Sequence, residues 1–368
     1  MRIVSIVGTR PNFIKLAALI REIKKHKIEH VLIHTGQHYD THMSQLFFKD
    51  LDLPEPDKHL VVQTNLSGDE QKKFLRTKIK ATLGKQEPKP DIVIVVGDVN
   101  STVAGAEAAN ELGIKVAHVE AGLRSFDKTM PEEINRIRTD EISDFLFTTE
   151  ESGNINLLNE GISKDKIFFV GNVMIDTLLK HKEKAKHSKI SEELGLAKNN
   201  YVVLTLHRPS NVDDKGGFEN VLSILEKIQE KIKIIFPVHP RTKKNIELFK
   251  LDEKIENMEN LIITGPLGYL DFIHLMANSK LVLTDSGGIQ EETTVLGIPC
   301  ITLRKNTERP VTVEQGTNLV VSTDADKVTE ESLKVIEDNI GENRKIPELW
   351  DGKAAERIIE LLLERFKK

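Results

Sequence analysis

Carboxylates, histidines and cations recur in this sequence directly after short apolar runs, the position from which an α/β protein presents its chemistry. The first run ends in Gly8-Thr9-Arg10-Pro11, with Lys15 one helical turn later. Pro11 suits a first helical turn and Gly8 permits close backbone approach, so Arg10 and Lys15 read as cations near a helix N-terminus, a setting for an anion. The spacing is neither G-x-G-x-x-G nor G-x-x-x-x-G-K-[ST], which excludes the dinucleotide and P-loop fingerprints here. A later run ends in Gly97-Asp98-Val99-Asn100-Ser101-Thr102, where one of Asp98, Asn100 and Ser101 is expected to cap the next helix. Another ends in His118-Val119-Glu120-Ala121-Gly122-Leu123-Arg124. Pro131-Glu132-Glu133-Ile134-Asn135-Arg136 then opens a helix, with one acid of the pair expected as a dipole partner. Three acids from three elements can thus converge on one sheet edge, and converging carboxylates raise each other's pKa, which suits proton transfer.

In the second half the runs end in His207-Arg208-Pro209-Ser210-Asn211, in His239-Pro240-Arg241 and in Thr284-Asp285-Ser286-Gly287-Gly288-Ile289-Gln290-Glu291-Glu292. Ser286-Gly287-Gly288 opening a helix is a backbone nest for phosphate, and Glu292 one turn in is a candidate acceptor for ribose hydroxyls. Each histidine alone reads as structural; two at corresponding strand ends, each beside an arginine, point to phosphate contacts. His34, His38 and His42 are spaced by four, but His34 ends a strand and Gly36 follows, so no single helix carries all three. H-E-x-x-H is absent as well, and no metal site is expected. The one cysteine, Cys300, excludes an intramolecular disulfide and a cysteine-based zinc site, and within Ile298-Pro299-Cys300-Ile301 it reads as core.

The elements that must position these residues are legible in the pattern. Ile3–Val7, Val31–His34, Ile92–Val96, Val116–Val119, Phe145–Thr148 and Ile167–Val170 read as buried strands of a parallel sheet covered on both faces. A second series follows: Val202–Leu206, Ile234–Val238, Leu261–Thr264, Leu281–Thr284, Cys300–Leu303 and Leu319–Ser322. Helical stripes lie between, including Phe13–Lys25, Thr102–Leu112 with Gly113 as its stop, and a closing amphipathic helix at Ala354–Phe366. Lys180–Lys189 reads as a frayed helix end or linker. The chain of 368 residues is therefore read as α/β, two doubly wound Rossmann-like domains facing a central cleft. The boundaries are 1–172, completed by a C-terminal helix at 352–368, and 173–351. A net charge of -5 and 5% aromatic residues argue against nucleic acid as a partner. The N-terminal run lacks the pattern of a secretory signal and no apolar stretch approaches a membrane span, so a cytoplasmic protein without membrane attachment is expected.

Taken in order, these motifs resemble the non-hydrolysing UDP-N-acetylglucosamine 2-epimerases. The likeness runs almost end to end and includes Thr35-Gly36-Gln37-His38. It implies the glycosyltransferase-B fold, a homodimer, no cofactor, and interconversion of UDP-N-acetylglucosamine and UDP-N-acetylmannosamine. By resemblance Asp98, Glu120, Glu132 and His207 form the catalytic group. Arg10, Lys15 and His239 lie around the sugar diphosphate, and Ser286, Gly287, Gly288 and Glu292 hold phosphate and ribose. In bacterial members a second substrate molecule activates near Gln37 and His38. Those members carry His-Arg-Arg-Glu where this chain has His207-Arg208-Pro209-Ser210, and an arginine where it has Tyr39. Both departures fall at the expected activator pocket. A hydrolysing epimerase, a retaining glycosyltransferase and a non-enzymatic nucleotide-sugar sensor are the competing readings.

Overall fold

The computed structural model describes residues 1–37, 47–60, 66, 68–337 and 345–367. The chain divides into two compact units, Met1–Leu179 with Glu348–Lys368, and Lys180–Pro347. Each is built on one parallel sheet. The first contains β1 (Arg2–Val7), β2 (Glu29–His34), β3 (Lys58–His59), β4 (Ile92–Val96), β5 (Lys115–Ala121), β6 (Phe145–Thr148) and β7 (Ile167–Phe169), in the order β3-β2-β1-β4-β5-β6-β7. The second contains β8 (Tyr201–Thr205), β9 (Lys233–Pro237), β10 (Leu261–Thr264), β11 (Leu281–Thr284), β12 (Cys300–Thr302) and β13 (Asn318–Val320), in the order β10-β9-β8-β11-β12-β13.

The burial pattern explains why these segments are strands. Every residue of Ile92–Val96 is buried, as a strand covered on both faces requires. In each sheet the strand order reverses once, between β1 and β4 in the first unit and between β8 and β11 in the second. At such a point the flanking crossovers lie on opposite faces, and the carboxyl ends of the two strands open a crevice. The expected strands all appear. The two-residue β3 has no counterpart in the sequence reading, because both of its residues are exposed and no apolar pattern marks them.

Helices follow suit. Arg10–Lys25 begins at the Gly8-Thr9-Arg10-Pro11 turn, and Asn100–Glu111 ends before Gly113, which adopts a φ of 62°. The 180–189 stretch is helical at its start, since Val173–Ala185 is one helix. The division between units falls inside that helix, where the sequence alone places it at 172/173. The helix's first half is held by the first unit. Thr177 Oγ1 donates to the Ile14 carbonyl at 2.8 Å, and the buried Asp176 carboxylate accepts the backbone N–H groups of Ala354 and Ala355 at 3.1 and 2.7 Å. Those amides open the last helix, Ala354–Arg365, which buries Ile358, Ile359 and Leu362. Just before it, the indole of Trp350 is buried and donates to the Thr149 carbonyl at 2.9 Å. Gly171 is required there, because a Cβ would lie 2.0 Å from the Leu349 carbonyl oxygen.

Burial pushes the Asp176 carboxyl up to about 6, against the two helix amides that favour its charged form. The folded state therefore binds a proton that the unfolded chain has released, and this contribution to stability is lost as pH rises from about 4 to about 6. Denaturation followed by the fluorescence of Trp350, the only tryptophan, should show this fall in wild type. In Asp176→Asn the difference, on the order of 1–3 kcal/mol across the window, should be absent.

Candidate functional site

In the first unit the crevice between β1 and β4 is organised by Asn12. Its Oδ1 accepts the N–H groups of Gly8 and Thr9, each at 3.1 Å, and its Nδ2 donates to the Val96 carbonyl at 3.1 Å. The turn after β1 is thereby tied to the end of β4. Gly8 must be glycine, since a Cβ would lie 2.1 Å from Ser101 Oγ. Lys15 does not stay in solvent: its ammonium is buried and meets Glu120 at 2.6 Å. Glu120 owes its direction to a bulge. The pairing of β5 with β6 shifts register between Val119 and Ala121, and Glu120 takes a φ of 73°, an uncommon backbone state for a bulky residue. Gly97, at a φ of 69°, leaves room for Lys15, whose Nζ would lie 3.0 Å from an added Cβ. Arg10 is partly exposed, its guanidinium 5.9 Å from the centre of the Phe47 ring.

The expected N-cap of helix Asn100–Glu111 needs correction. Neither Asp98, Asn100 nor Ser101 occupies that position; Val99 does, with no side-chain cap. The cap is supplied from a distance, because Gln37 Oε1 accepts from Ser101 N at 2.9 Å and from Ser101 Oγ at 2.7 Å. Asp98 is thus left for other work, and its carboxylate is salt-bridged to the buried Arg136. Asn135 holds the same loop, donating to the Asp98 carbonyl and to Asn100 Oδ1, both at 3.0 Å. Arg136 and Asn135 were visible in the Pro-Glu-Glu-Ile-Asn-Arg motif, but only the fold shows which acid they serve. Gln37, expected beside an activator, has its carbonyl oxygen engaged with this helix. His38 lies outside the described residues, as does His42.

The structure also separates the two neighbouring glutamates. Glu133 is buried and accepts from Ser125 N at 2.8 Å, Ser125 Oγ at 2.9 Å and Phe126 N at 3.0 Å. It pins the loop after β5. Glu132, one residue earlier on the same helix, is only partly buried. His34 is a structural histidine: it is buried, stacked on Phe13 at 5.2 Å, and burial, helped by nearby His59, lowers its pKa to about 4. Cys300 is buried core, its thiol pushed up to about 12 by burial.

In the second unit the crevice between β8 and β11 is spanned by a histidine–aspartate pair. His207 Nδ1 lies 2.7 Å from Asp285 Oδ1; the carboxylate is fully buried while the imidazole side chain is 60% exposed. Burial alone would raise the Asp285 carboxyl, but His207 and the donors around it hold it below the ordinary carboxylate range. Those donors are His207 N, Arg208 N and Asn211 Nδ2. The imidazole is therefore oriented at one nitrogen by a buried charge and presents its other edge outward. Directly after β11, Ser286 precedes helix Gly287–Leu296, whose first amides have no intrahelical carbonyl to bond. Gly287 is packed from behind: a Cβ would lie 2.2 Å from Arg309 Nη1 and 2.8 Å from Glu308 Oε1. These belong to a buried chain of ion pairs, Arg304 to Glu308 at 2.7 Å, Glu308 to Arg309 at 2.5 Å and Arg309 to Glu291 at 2.8 Å. Sequence reading missed the Glu308-Arg309 pair, although Thr307-Glu308-Arg309-Pro310 follows a strand like the other motifs.

Glu292 faces inward. It is buried, and Tyr269 donates its hydroxyl to Glu292 Oε1 at 2.9 Å. Burial pushes the Glu292 carboxyl up to about 8, with Tyr269 opposing and Glu291 adding to the rise. His239 is exposed at the end of β9 and caps helix Pro240–Phe249, its Nδ1 accepting from Arg241 N at 3.2 Å. Arg241 itself is salt-bridged to Asp213.

Comparison with known proteins places the chain in a family. The family model for UDP-N-acetylglucosamine 2-epimerase matches residues 21–363. A protein from Methanococcus maripaludis named as a UDP-N-acetylglucosamine 2-epimerase homolog is 47% identical, covering 98% of this chain and 99% of its own. A crystal structure of the Methanocaldococcus jannaschii UDP-GlcNAc 2-epimerase in complex with UDP-GlcNAc and UDP superposes with a TM-score of 0.90 at 43% identity, covering 99% of this chain and 100% of that one. The UDP-2,3-diacetamido-2,3-dideoxy-D-glucuronate 2-epimerase of Pseudomonas aeruginosa is 38% identical over 98% of this chain and 99% of its own. The chain belongs to the UDP-N-acetylglucosamine 2-epimerase family and has its glycosyltransferase-B class of fold.

Three substitutions test the placements. Glu133→Ala should destabilise the protein by about 1–3 kcal/mol and speed hydrogen exchange at Ser125 and Phe126, whereas Glu132→Ala should stay within about 0.5 kcal/mol of wild type. Gly287→Ala should displace the Arg309–Glu308 pair and lower stability by about 1–3 kcal/mol in a denaturant titration.

Proposed function

We propose that the protein catalyses reversible epimerisation at C2 of UDP-N-acetylglucosamine to UDP-N-acetylmannosamine, by elimination of UDP to a 2-acetamidoglucal and re-addition. The sugar's C2–H has no adjacent carbonyl, so direct deprotonation is hard. Departure of UDP from C1 creates oxocarbenium character that acidifies C2–H, and the protein must stabilise both the leaving phosphate and the developing cation. The C1–O bond breaks with its electron pair leaving on the diphosphate, a carboxylate takes the C2 proton, and a C1=C2 double bond forms. A proton returned to the opposite face of C2, with the phosphate oxygen re-bonding C1, gives the epimer. Nothing is oxidised or reduced, so the scheme calls for no redox cofactor.

The observation that carries this reading is the crowding of charged groups beside the switch points: Asp98 follows β4 and meets Arg136, Glu120 reaches Lys15 in the helix after β1, and His207 after β8 meets Asp285 after β11. Asp98 and Glu120 are both salt-bridged carboxylates, the form a general base requires. Glu132, left partly exposed on the helix beside the structural Glu133, offers a third acid from a different element, and proton transfer on two faces of one ring calls for acids from more than one direction. His207, Arg10, His239 and the Ser286-Gly287-Gly288 turn serve the diphosphate. The resemblance sets Lys15 by the sugar diphosphate and Glu292 by the ribose; here Lys15 is engaged with Glu120 and Glu292 with Tyr269. The resemblance supports a homodimer, and a nucleotide-sugar substrate supports a cytoplasmic enzyme.

Incubation with UDP-N-acetylglucosamine in D2O, followed by NMR, should show deuterium entering C2 and the N-acetylmannosamine nucleotide appearing. Release of free N-acetylmannosamine would favour the hydrolysing reaction, and binding without turnover a sensor. The diacetamido-glucuronate nucleotide named for the Pseudomonas relative should turn over more slowly in the same assay. Asp98→Asn and Glu120→Gln should each cut turnover by about 100-fold or more while UDP still binds.

A further inference from the structure

His118 and Asp140 take no part in the proposed chemistry, yet they are among the most deeply buried charged groups of the first unit, at 0% and 1% exposure. His118 Nδ1 lies 2.6 Å from Asp140 Oδ1, and His118 Nε2 lies 2.8 Å from the Gly97 carbonyl oxygen. Both neighbours are hydrogen-bond acceptors. A carbonyl oxygen has no proton to give. The Asp140 carboxyl takes Gly122 N at 3.1 Å and Arg124 at 2.7 Å on its other oxygen, and these donors favour its charged, accepting form. A neutral imidazole has one donor and one acceptor nitrogen, and cannot satisfy two acceptors. Only the doubly protonated ring can donate at both sides.

We infer that His118 is a buried imidazolium, and that with Asp140 it forms a clamp positioning Glu120 and Asp98 for the proposed reaction. The positions it grips are telling. Asp140 holds His118 through one oxygen and Gly122 N through the other, so it grasps the chain on either side of the bulged Glu120. The opposite edge of His118 holds Gly97, the residue before Asp98. One ion pair therefore fixes both loops that carry salt-bridged acids. Arg124 closes the back of the clamp, meeting Asp140 and also Glu160, the latter through two contacts of 2.7 Å. Burial would raise the Asp140 carboxyl, but His118 and Arg124 hold it below its ordinary value.

The inference rests on the proposed roles of Asp98 and Glu120, and two measurements keep the questions apart. In full-length protein with 15N-labelled histidine, the His118 signal, assigned by its loss in His118→Asn, should show hydrogens on both ring nitrogens. A neutral tautomer there would overturn the clamp whatever the enzyme's activity. In Asp140→Asn, kcat for epimerisation should fall about 100-fold, the scale of a small misplacement of catalytic groups, while KM stays within about threefold. Wild-type kcat in the folded variant would overturn the positioning role. Should Asp140→Asn fail to fold, the wild-type spectrum still decides the charge state. Absence of turnover in wild type with an imidazolium signal would reject the enzymatic reading and leave the ion pair standing.

Discussion

A carboxylate buried to 1% exposure must meet a cation or give up its charge, and Glu120 meets Lys15 at 2.6 Å. Much of the first unit follows from that pair. Lys15 must lie on the buried side of the first helix, which sets how Arg10–Lys25 leaves β1. Gly97 must lack a side chain, because the ammonium occupies its flank. Strand β5 must break its register, because in regular pairing the side chain at 120 would alternate with its neighbours into the covering layers and not turn to the strand end. The left-handed backbone at Glu120 is the strain this arrangement carries, and such strain is held only where the surroundings over-determine it.

The second unit repeats the topology and varies the electrostatics. Each unit sets a histidine against an aspartate near its switch point, at 2.6 Å for His118–Asp140 and 2.7 Å for His207–Asp285. In the first the imidazole is enclosed and grips backbone on its far side. In the second it is open, and its far nitrogen is offered outward. The same pair of residue types is thus enclosed in one unit and open on its imidazole side in the other.

Much of this was readable from the chain. Apolar runs too short for helices and lacking alternation gave away both sheets, and the residues following them gave away the crevices, because a strand end is a local feature. What could not be read is the partnership between distant residues. Gln37 capping Ser101 overturns a local rule, that a Ser, Asp or Asn at a helix start caps it, through a contact 64 positions away in sequence. Glu132 and Glu133 are indistinguishable as letters; only the loop at Ser125 and Phe126 tells them apart. Asp140 sits in the last turn of helix Pro131–Ile142, and nothing in its neighbourhood of Thr139 and Glu141 marks it as the partner of a strand histidine.

The path of the chain through its units has a consequence for synthesis. Lys180–Pro347 is a single uninterrupted stretch, whereas the first unit is made of two pieces separated by all of it. Domains fold as units while the chain emerges from the ribosome. The second unit is therefore complete while the first still lacks Trp350, the helix Ala354–Arg365 and the amides that face Asp176. The half of the protein that is translated first is the half that is finished last, and it must wait with an open seam against Thr149 and Asp176 until the final residues arrive.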